Sequence, residues 1–361
     1  VPRTRLKLNR FHLRWSILVL VSVVLAAGFD HLGLPAGRLL GPMVAAIAFA
    51  VGGREVVVTR HGFVAAQGII GLLIARGIPV SMLSTLSDHW GVFLVGVLSV
   101  TVLANGLGWM LTRWQVLPGD TAIWGAAPGA ASAMMIMAEA HGADVRLVAF
   151  MQYLRVVCVS VSASLVAHFW IQNTGTPVPH PAAASLLLPP GSWPGLGATL
   201  VIALAGSYVG VKLRLPAGGL LLPMICGVLM QDFAHVPVEL PPLVLAVAYA
   251  FVGWTIGMRF NRQVLADAAR SLPKVLASII TLIVLCGCVG LVLVHWAHVD
   301  PLTAYLATSP GGADSVAIIA ASSPVDMAFV LTMQVLRMLF TMATGPAIAR
   351  MLAARLEKRA A

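Results

Sequence analysis

Residues 128–155 read PGAASAMMIMAEAHGADVRLVAFMQYLR, and residues 310–337 read PGGADSVAIIAASSPVDMAFVLTMQVLR. Both stretches open on Pro-Gly among small residues and pass an aspartate at the same place (Asp144, Asp326). Both close on Gln-x-x-Arg, with Gln152 and Arg155 in the first and Gln334 and Arg337 in the second, at a constant offset of 182. A second match lies upstream: LPAGRLLGPMVAAI at 34–47 and LPAGGLLLPMICGV at 215–228, offset by 181. Two separate matches at nearly one offset define an internal duplication. The halves are 15–170 and 194–353. The joint at 171–193, IQNTGTPVPHPAAASLLLPPGSW, is rich in Pro, Gly and Ser, has no Lys or Arg, and reads as a linker.

Composition sets the medium. The chain has 361 residues, of which 59% are hydrophobic and 10% charged, where soluble domains carry about 25% charged residues. So few charges cannot cover a globular surface, and apolar runs near membrane-spanning length recur throughout. The expected fold class is an all-α polytopic membrane protein. The net charge of +10 is not a nucleic-acid signal, because its cations sit in short blocks between apolar runs. The first run follows five basic residues from Arg3 to Arg14. It lacks a small-residue cleavage site and recurs in mid-chain, so it reads as a retained helix. The four cysteines lie in apolar segments without a Cys-x-x-Cys pair and read as packing residues. His295 and His298 share a helix face at the end of an apolar run, which suits an interface better than a metal site.

Each half repeats six elements. Helices are expected at 15–33, 39–52, 62–78 and 91–112, then a broken segment at 120–141 and a helix at 144–170. Their counterparts are 194–213, 219–231, 242–258, 274–296, 302–323 and 326–350. The Pro-Gly within each broken segment argues against one straight helix. With the N-terminus in the cytoplasm, five helices crossing per half and the broken segment re-entrant, nineteen basic residues fall inside and only Arg38 and Arg76 outside. That bias favours this arrangement under the positive-inside rule. It puts the linker outside and inverts the two halves. The basic ends, 1–14 and 354–361, are then both cytoplasmic, and the expected location is the bacterial inner membrane.

Arg155 and Arg337 follow Asp144 and Asp326 by eleven residues, about 16 Å along a helix and so near the middle of a hydrocarbon core about 30 Å thick. The aspartates read as helix N-caps. A midplane arginine needs partners. In one reading, each arginine and the glutamine one turn before it tie down the bare carbonyls of the broken segment. In the other, they line a site for an anionic or polar solute, since guanidinium pairs with carboxylate or phosphate oxygens. The candidate solute-binding set is Pro128, Gly129, Ser132, Gln152, Arg155, Pro310, Gly311, Gly312, Asp314, Ser315, Gln334 and Arg337. Glycines permit close backbone approach, and a half-helix after the break aims free amides at a ligand. Interrupted segments at matching places in two repeats point to a transporter's central site. The copies differ at Asp314 and Ser315, where the first has Ser132 and Ala133. Asp314 reads either as a site for a coupling H⁺ or Na⁺ or as a static partner of an arginine; Glu139 lies nearer the interface.

At these residues the chain resembles the bacterial AbrB-duplication membrane proteins, which are unrelated to the soluble DNA-binding regulator of the same name. The stretch ATSPGGADSVAIIA at 307–320, VDMAFVLTMQVLRMLF at 325–340 and the following Gly-Pro carry the resemblance. It covers essentially the whole chain. The first half departs at Ser132, where an acidic residue often stands in the family. Members bear labels as regulators of gene expression, as ammonia monooxygenases and as transporters, so the resemblance implies architecture more firmly than activity. The first reading is a secondary transporter, not an enzyme and without a resident cofactor. A regulatory membrane protein and a membrane monooxygenase are the alternatives. The latter would require a His and carboxylate cluster, and the apolar segments offer no helix with two such ligands at i, i+4 on a core-facing surface. The expected partners are the bilayer and a small solute, with no nucleic acid; a homo-oligomer is left open.

The charge bias generates a direct test of the arrangement. In a Cys-free background, Thr176→Cys should react with an impermeant thiol reagent in intact right-side-out cells. Reaction only after permeabilisation would overturn the inverted topology.

Overall fold

A computed structural model of the chain describes residues 2–54, 56–79, 82–127, 134–135, 138–139, 142–174, 193–215 and 217–360. Every regular element among them is helical. The first half contains α1 (Pro2–His31), α2 (Gly37–Val51), α3 (Arg60–Gly77), α4 (Met82–Asp88), α5 (Trp90–Arg113), α6 (Thr121–Ala126) and α7 (Val145–Thr174). The second contains α8 (Trp193–Lys212, with one π turn at Ile202–Gly206), α9 (Gly218–Asp232), α10 (Pro242–Gly257), α11 (Arg262–Ala268), α12 (Leu272–Ala297), α13 (Pro301–Thr308), α14 (Ala313–Ala321) and α15 (Met327–Ala360). The expected order recurs in both halves. Sequence reading missed the short helices α4 and α11, which themselves occupy matching places.

Among the described residues, six segments are long and apolar enough to cross a bilayer: His12–His31, Trp90–Arg113, Val145–Gln172, Trp193–Lys212, Leu272–Ala297 and Met327–Gly345. The protein is therefore an all-α polytopic membrane protein. The helices α2, α9 and α10 are apolar but shorter. Pro42 and Pro223 lie inside α2 and α9, which begin at Gly37 and Gly218, slightly before the expected starts. The LPAG motif explains those starts. Its alanine, Ala36 or Ala217, takes a left-handed conformation with φ of 59° or 50°, and the helix follows at the glycine. Most of the linker, 175–192, lies outside the described residues; its ends belong to α7 and α8.

The chain divides into two compact units that cut across the repeats. The first takes residues up to 73, 167–213 and 218–266, that is, the first three helices of each half. In it, Gly253 of α10 is so close to α2 that an added Cβ would stand 2.8 Å from the Leu39 carbonyl oxygen. Gly71 of α3 meets the Leu220 carbonyl of α9 in the same way. Gly71 and Gly253 are repeat equivalents, as are Leu39 and Leu220, so the third helix of each half packs on the second helix of the other. The indole N–H of Trp254 donates to Ser22 Oγ at 2.9 Å, inside an apolar cluster of Leu18, Ala45, Ala46 and Phe49.

The second unit takes residues 74–166, 214–217 and 267–361, which gathers the last helices and the broken segments of both halves. Its α5 and α12 meet through Val100, Ala104, Leu107, Leu282 and Cys286. Glycine again sets the spacing. An added Cβ on Gly108 of α5 would lie 2.8 Å from Ala126 Cβ, and one on its equivalent Gly290 of α12 would lie 3.1 Å from Thr308 Oγ1. Each broken segment is thus held against the helix before it.

Substitution of these glycines should separate packing from helix propensity. Gly253→Ala should lower the thermal midpoint in detergent, since the new methyl meets backbone and overpacking costs about 1–3 kcal/mol. Gly106→Ala, where a Cβ meets nothing within 4 Å, should leave the midpoint unchanged or raise it, by about 0.5–1 kcal/mol of backbone entropy.

Candidate functional site

The broken segment of the second half is resolved into α13 and α14 with Ser309, Pro310, Gly311 and Gly312 between them. With 8 and 9 residues, neither half-helix reaches across a core about 30 Å thick at 1.5 Å per residue. The break therefore exposes the last carbonyls of α13 within an apolar setting, where each unsatisfied group is costly.

Gln334 and Arg337 of α15 satisfy them. Gln334 Nε2 donates to the carbonyls of Leu306 at 2.8 Å and Ser309 at 3.2 Å, and Gln334 Oε1 accepts from Arg337 at 2.6 Å. The Arg337 guanidinium also donates to the carbonyls of Ser309 at 2.5 Å and Gly311 at 2.6 Å. The first half repeats this clamp. Gln152 Nε2 donates to the carbonyls of Trp124 at 3.2 Å and Ala127 at 2.9 Å. Arg155 donates to the Ala126 carbonyl at 2.8 Å and to Gln152 Oε1 at 2.6 Å. All four side chains are buried; Arg155 retains 5% exposure and Arg337 4%. The cations also sit at the negative ends of α6 and α13, where the helix dipole favours them. The reading in which Gln and Arg tie down the broken segment describes both copies.

The far side of the second break carries the opposite charge. Asp314 stands in the first turn of α14, half-buried, and its Oδ1 accepts from Ser315 N at 2.8 Å. Ser315 Oγ donates to the Gly312 carbonyl at 3.0 Å. The expected static pairing of Asp314 with an arginine is not formed among the described residues: Arg337 donates instead to the carbonyls of Ser309 and Gly311, and Arg155 to that of Ala126. Both terminal nitrogens of Arg337 are already engaged, by the carbonyls of Ser309 and Gly311 and by Gln334 Oε1. Pro310 is buried, and the open face of Gly311 is filled by Val159 of α7, whose Cγ1 would lie 3.0 Å from an added Cβ. Pro128, Gly129 and Ser132 lie outside the described residues. Glu139 is exposed.

Asp144 and Asp326 are N-caps, as expected. Asp144 Oδ1 accepts from Arg146 N at 2.9 Å, and Asp326 Oδ1 from Phe329 N at 3.0 Å. Each cap is tied back to its broken segment by a residue that sequence reading missed. Asp144 N donates to Thr121 Oγ1 at 3.2 Å, and Asp326 N to Thr303 Oγ1 at 3.0 Å. The signal was present as a threonine 23 residues before the aspartate in both copies. Among the described residues no three His, Cys, Asp or Glu side chains group as metal ligands.

A polytopic membrane protein with duplicated, clamped helix breaks is the class that this fold and site define. The chain belongs to the AbrB family: residues 38–353 match the family described as "Transition state regulatory protein AbrB". It is 43% identical over 356 residues to "Putative regulator AbrB" of Escherichia coli (strain K12), covering 97% of this chain and 99% of that one. It is 26% identical over 358 residues to "Uncharacterized protein YhjN" of Bacillus subtilis (strain 168), covering 92% of each.

The clamp predicts a stability effect. Gln334→Leu strips the amide from the carbonyls of Leu306 and Ser309, and should destabilise the protein by about 1–3 kcal/mol, the cost of a buried unsatisfied polar group. Thermal unfolding in detergent measures it. An unchanged midpoint would contradict the capping role.

Proposed function

We propose that the protein is a secondary transporter of a small anionic solute, bound at the clamped breaks of the second compact unit. It would reside in the bacterial inner membrane with both termini cytoplasmic and its halves inverted. The observation that carries this reading is a charge imbalance. Two buried guanidiniums stand in matching places of the two repeats, both within the second compact unit. One intramembrane carboxylate, Asp314, belongs to the breaks, and no described carboxylate lies within 4.0 Å of either arginine. Carbonyl dipoles hold the cations but do not cancel them. An anion entering from water gains where other solutes lose, and a site built on two interrupted segments gives it access from alternate sides.

Asp314 suits the coupling role. Among the described residues it pairs with no cation, so protonation or Na⁺ binding can accompany solute binding without dismantling the clamp. A regulatory reading draws on the name of the Escherichia coli relative; a transporter that alters a solute pool would affect gene expression indirectly.

Proteoliposomes with an imposed proton or sodium gradient test the proposal: the reconstituted protein should accumulate an anion, organic or inorganic. Uptake of none from a broad panel would remove the transporter reading. Asp314→Asn should cut gradient-driven accumulation by about tenfold or more, the loss of one intramembrane ionisable group. It should preserve solute counterflow, because the amide mimics the loaded acid and still accepts from Ser315 N. Normal accumulation by this variant would exclude Asp314 from coupling.

A further inference from the structure

The clamp leaves something over. Arg155 and Arg337 each keep one buried N–H, the Nε, without a hydrogen-bond partner among the described residues. Buried polar atoms in native structures are almost always paired, so such orphans call for an explanation. A third orphan stands beside them. Thr341 Oγ1 is fully buried and also without a partner among the described residues. Thr341 lies four residues after Arg337 on α15, one turn along the same face. A helical threonine ordinarily turns its hydroxyl onto the carbonyl one turn back. Thr344 does so to Phe340 at 2.7 Å on the same helix, and Thr341 does not.

The direction of this face is fixed by its next turn. An added Cβ on Gly345 would lie 3.2 Å from Met134 Cε and 3.4 Å from Thr341 Cγ2, so the face looks at the broken segment of the first half. The other orphans among the described residues, on Asn105, Ser160, Asp232 and Thr332, are not one turn from either arginine on a shared face. The repeat equivalent of Thr341 is Val159, which packs against Gly311. The hydroxyl thus belongs to one half only, and nothing in the shared clamp requires it.

We infer that Arg337 Nε, Thr341 Oγ1 and Arg155 Nε form a subsite for the carboxylate group of a small organic acid. Arg337 Nε and Thr341 Oγ1, one turn apart on α15, and Arg155 Nε of the matching clamp supply three donors for the two oxygens of a carboxylate, each of which accepts two bonds. A phosphate or sulfate brings more oxygens and more charge, and would be left with bare acceptors in a site where every unpaired lone pair is costly. Bound there, a carboxylate would neutralise one of two mutually repelling cations and satisfy all three orphans together. The inference rests on the transporter reading for the presence of a solute, and adds its chemical class and the residue that selects it.

The test uses the full chain in detergent, with acetate, propionate, lactate, succinate, phosphate and sulfate as probes, and the carboxamides of the organic acids as neutral controls. Binding is read by calorimetry and by the shift in thermal midpoint. At least one carboxylate should bind, and its carboxamide should not. Thr341→Val should leave the ligand-free midpoint unchanged, because the hydroxyl has no internal partner to lose. It should weaken carboxylate binding about ten- to a hundredfold, as expected for one lost hydrogen bond to a charged group. Thr341→Ser should restore affinity. Equal binding by wild type and Thr341→Val would overturn the subsite. Binding of phosphate or sulfate in place of every carboxylate would overturn the solute class while leaving an anion transporter standing. Binding of no probe at all, carboxylate or inorganic, would overturn the subsite; the uptake panel then decides the transporter reading separately.

Discussion

A helix interrupted inside a hydrocarbon core leaves carbonyls that water cannot reach, and the structure of the second compact unit depends on how they are satisfied. Each break is answered by one glutamine and one arginine on the following helix. The glutamine alone could cap two carbonyls. The arginine adds a planar, permanently charged fork that spans the break, and at Gly311 it reaches past the proline to the start of the next half-helix. The amide oxygen of the glutamine in turn fixes the fork, at 2.6 Å in both copies. Lysine could not do this, since a point charge on a flexible stem has neither the reach in two directions nor the fixed plane. A buried cation is the cost of that rigidity. Carbonyl dipoles offset it in part, and on the proposed transporter reading the remainder would draw in the anionic solute.

The framework around the clamps follows from close backbone approach. Gly108 and Gly290 bring α5 and α12 onto the first half-helix of each break, and Thr121 and Thr303 tie that half-helix to the N-cap of the clamping helix. Each break is therefore held from the helix before it, from the cap after it and from the Gln-x-x-Arg pair. The first compact unit uses the same device, with Gly71 and Gly253 seated on carbonyls of α9 and α2. In both units helices of one half pack on helices of the other, so neither half is expected to fold as a domain by itself. The cut between units falls across the repeats for this reason.

Much of this was legible in the sequence. The repeat at offsets 181 and 182, the helix order, the break at Pro310-Gly311, the caps at Asp144 and Asp326 and the pairing of Gln with Arg follow from periodicity and from the physics of polar groups in a membrane. The pairing of Asp314 with an arginine did not form. Scarcity of carboxylates made it attractive, but it overlooked the carbonyls of the break itself, which lie nearer and outnumber the acid. The threonine ties at 121 and 303 were visible as repeated residues, yet a lone threonine in an apolar run is usually a local back-bonder, and only the fold brings it to an amide 23 residues away. Which helix packs on which is set by glycine–carbonyl contacts between distant residues, and no local pattern encodes it.

The departures from the repeat carry a different kind of information from the repeat itself. What the two halves share is what the architecture needs: Gly, Thr, Asp, Gln and Arg at fixed offsets. What they do not share is free to serve the solute. Asp314 faces Ser132 across the repeat relation, and Thr341 faces Val159. Both unmatched polar residues belong to the second half, one at the head of a half-helix and one a turn beyond the clamping arginine. A site made from two equal halves would hold a ligand equally in either sense. If the protein carries a solute as proposed, the acid at 314 and the hydroxyl at 341, each without its like at the matching position of the first half, would give the site a direction. The symmetry therefore builds the clamps, and on the transporter reading its local failure at residues 314 and 341 would give the site its polarity.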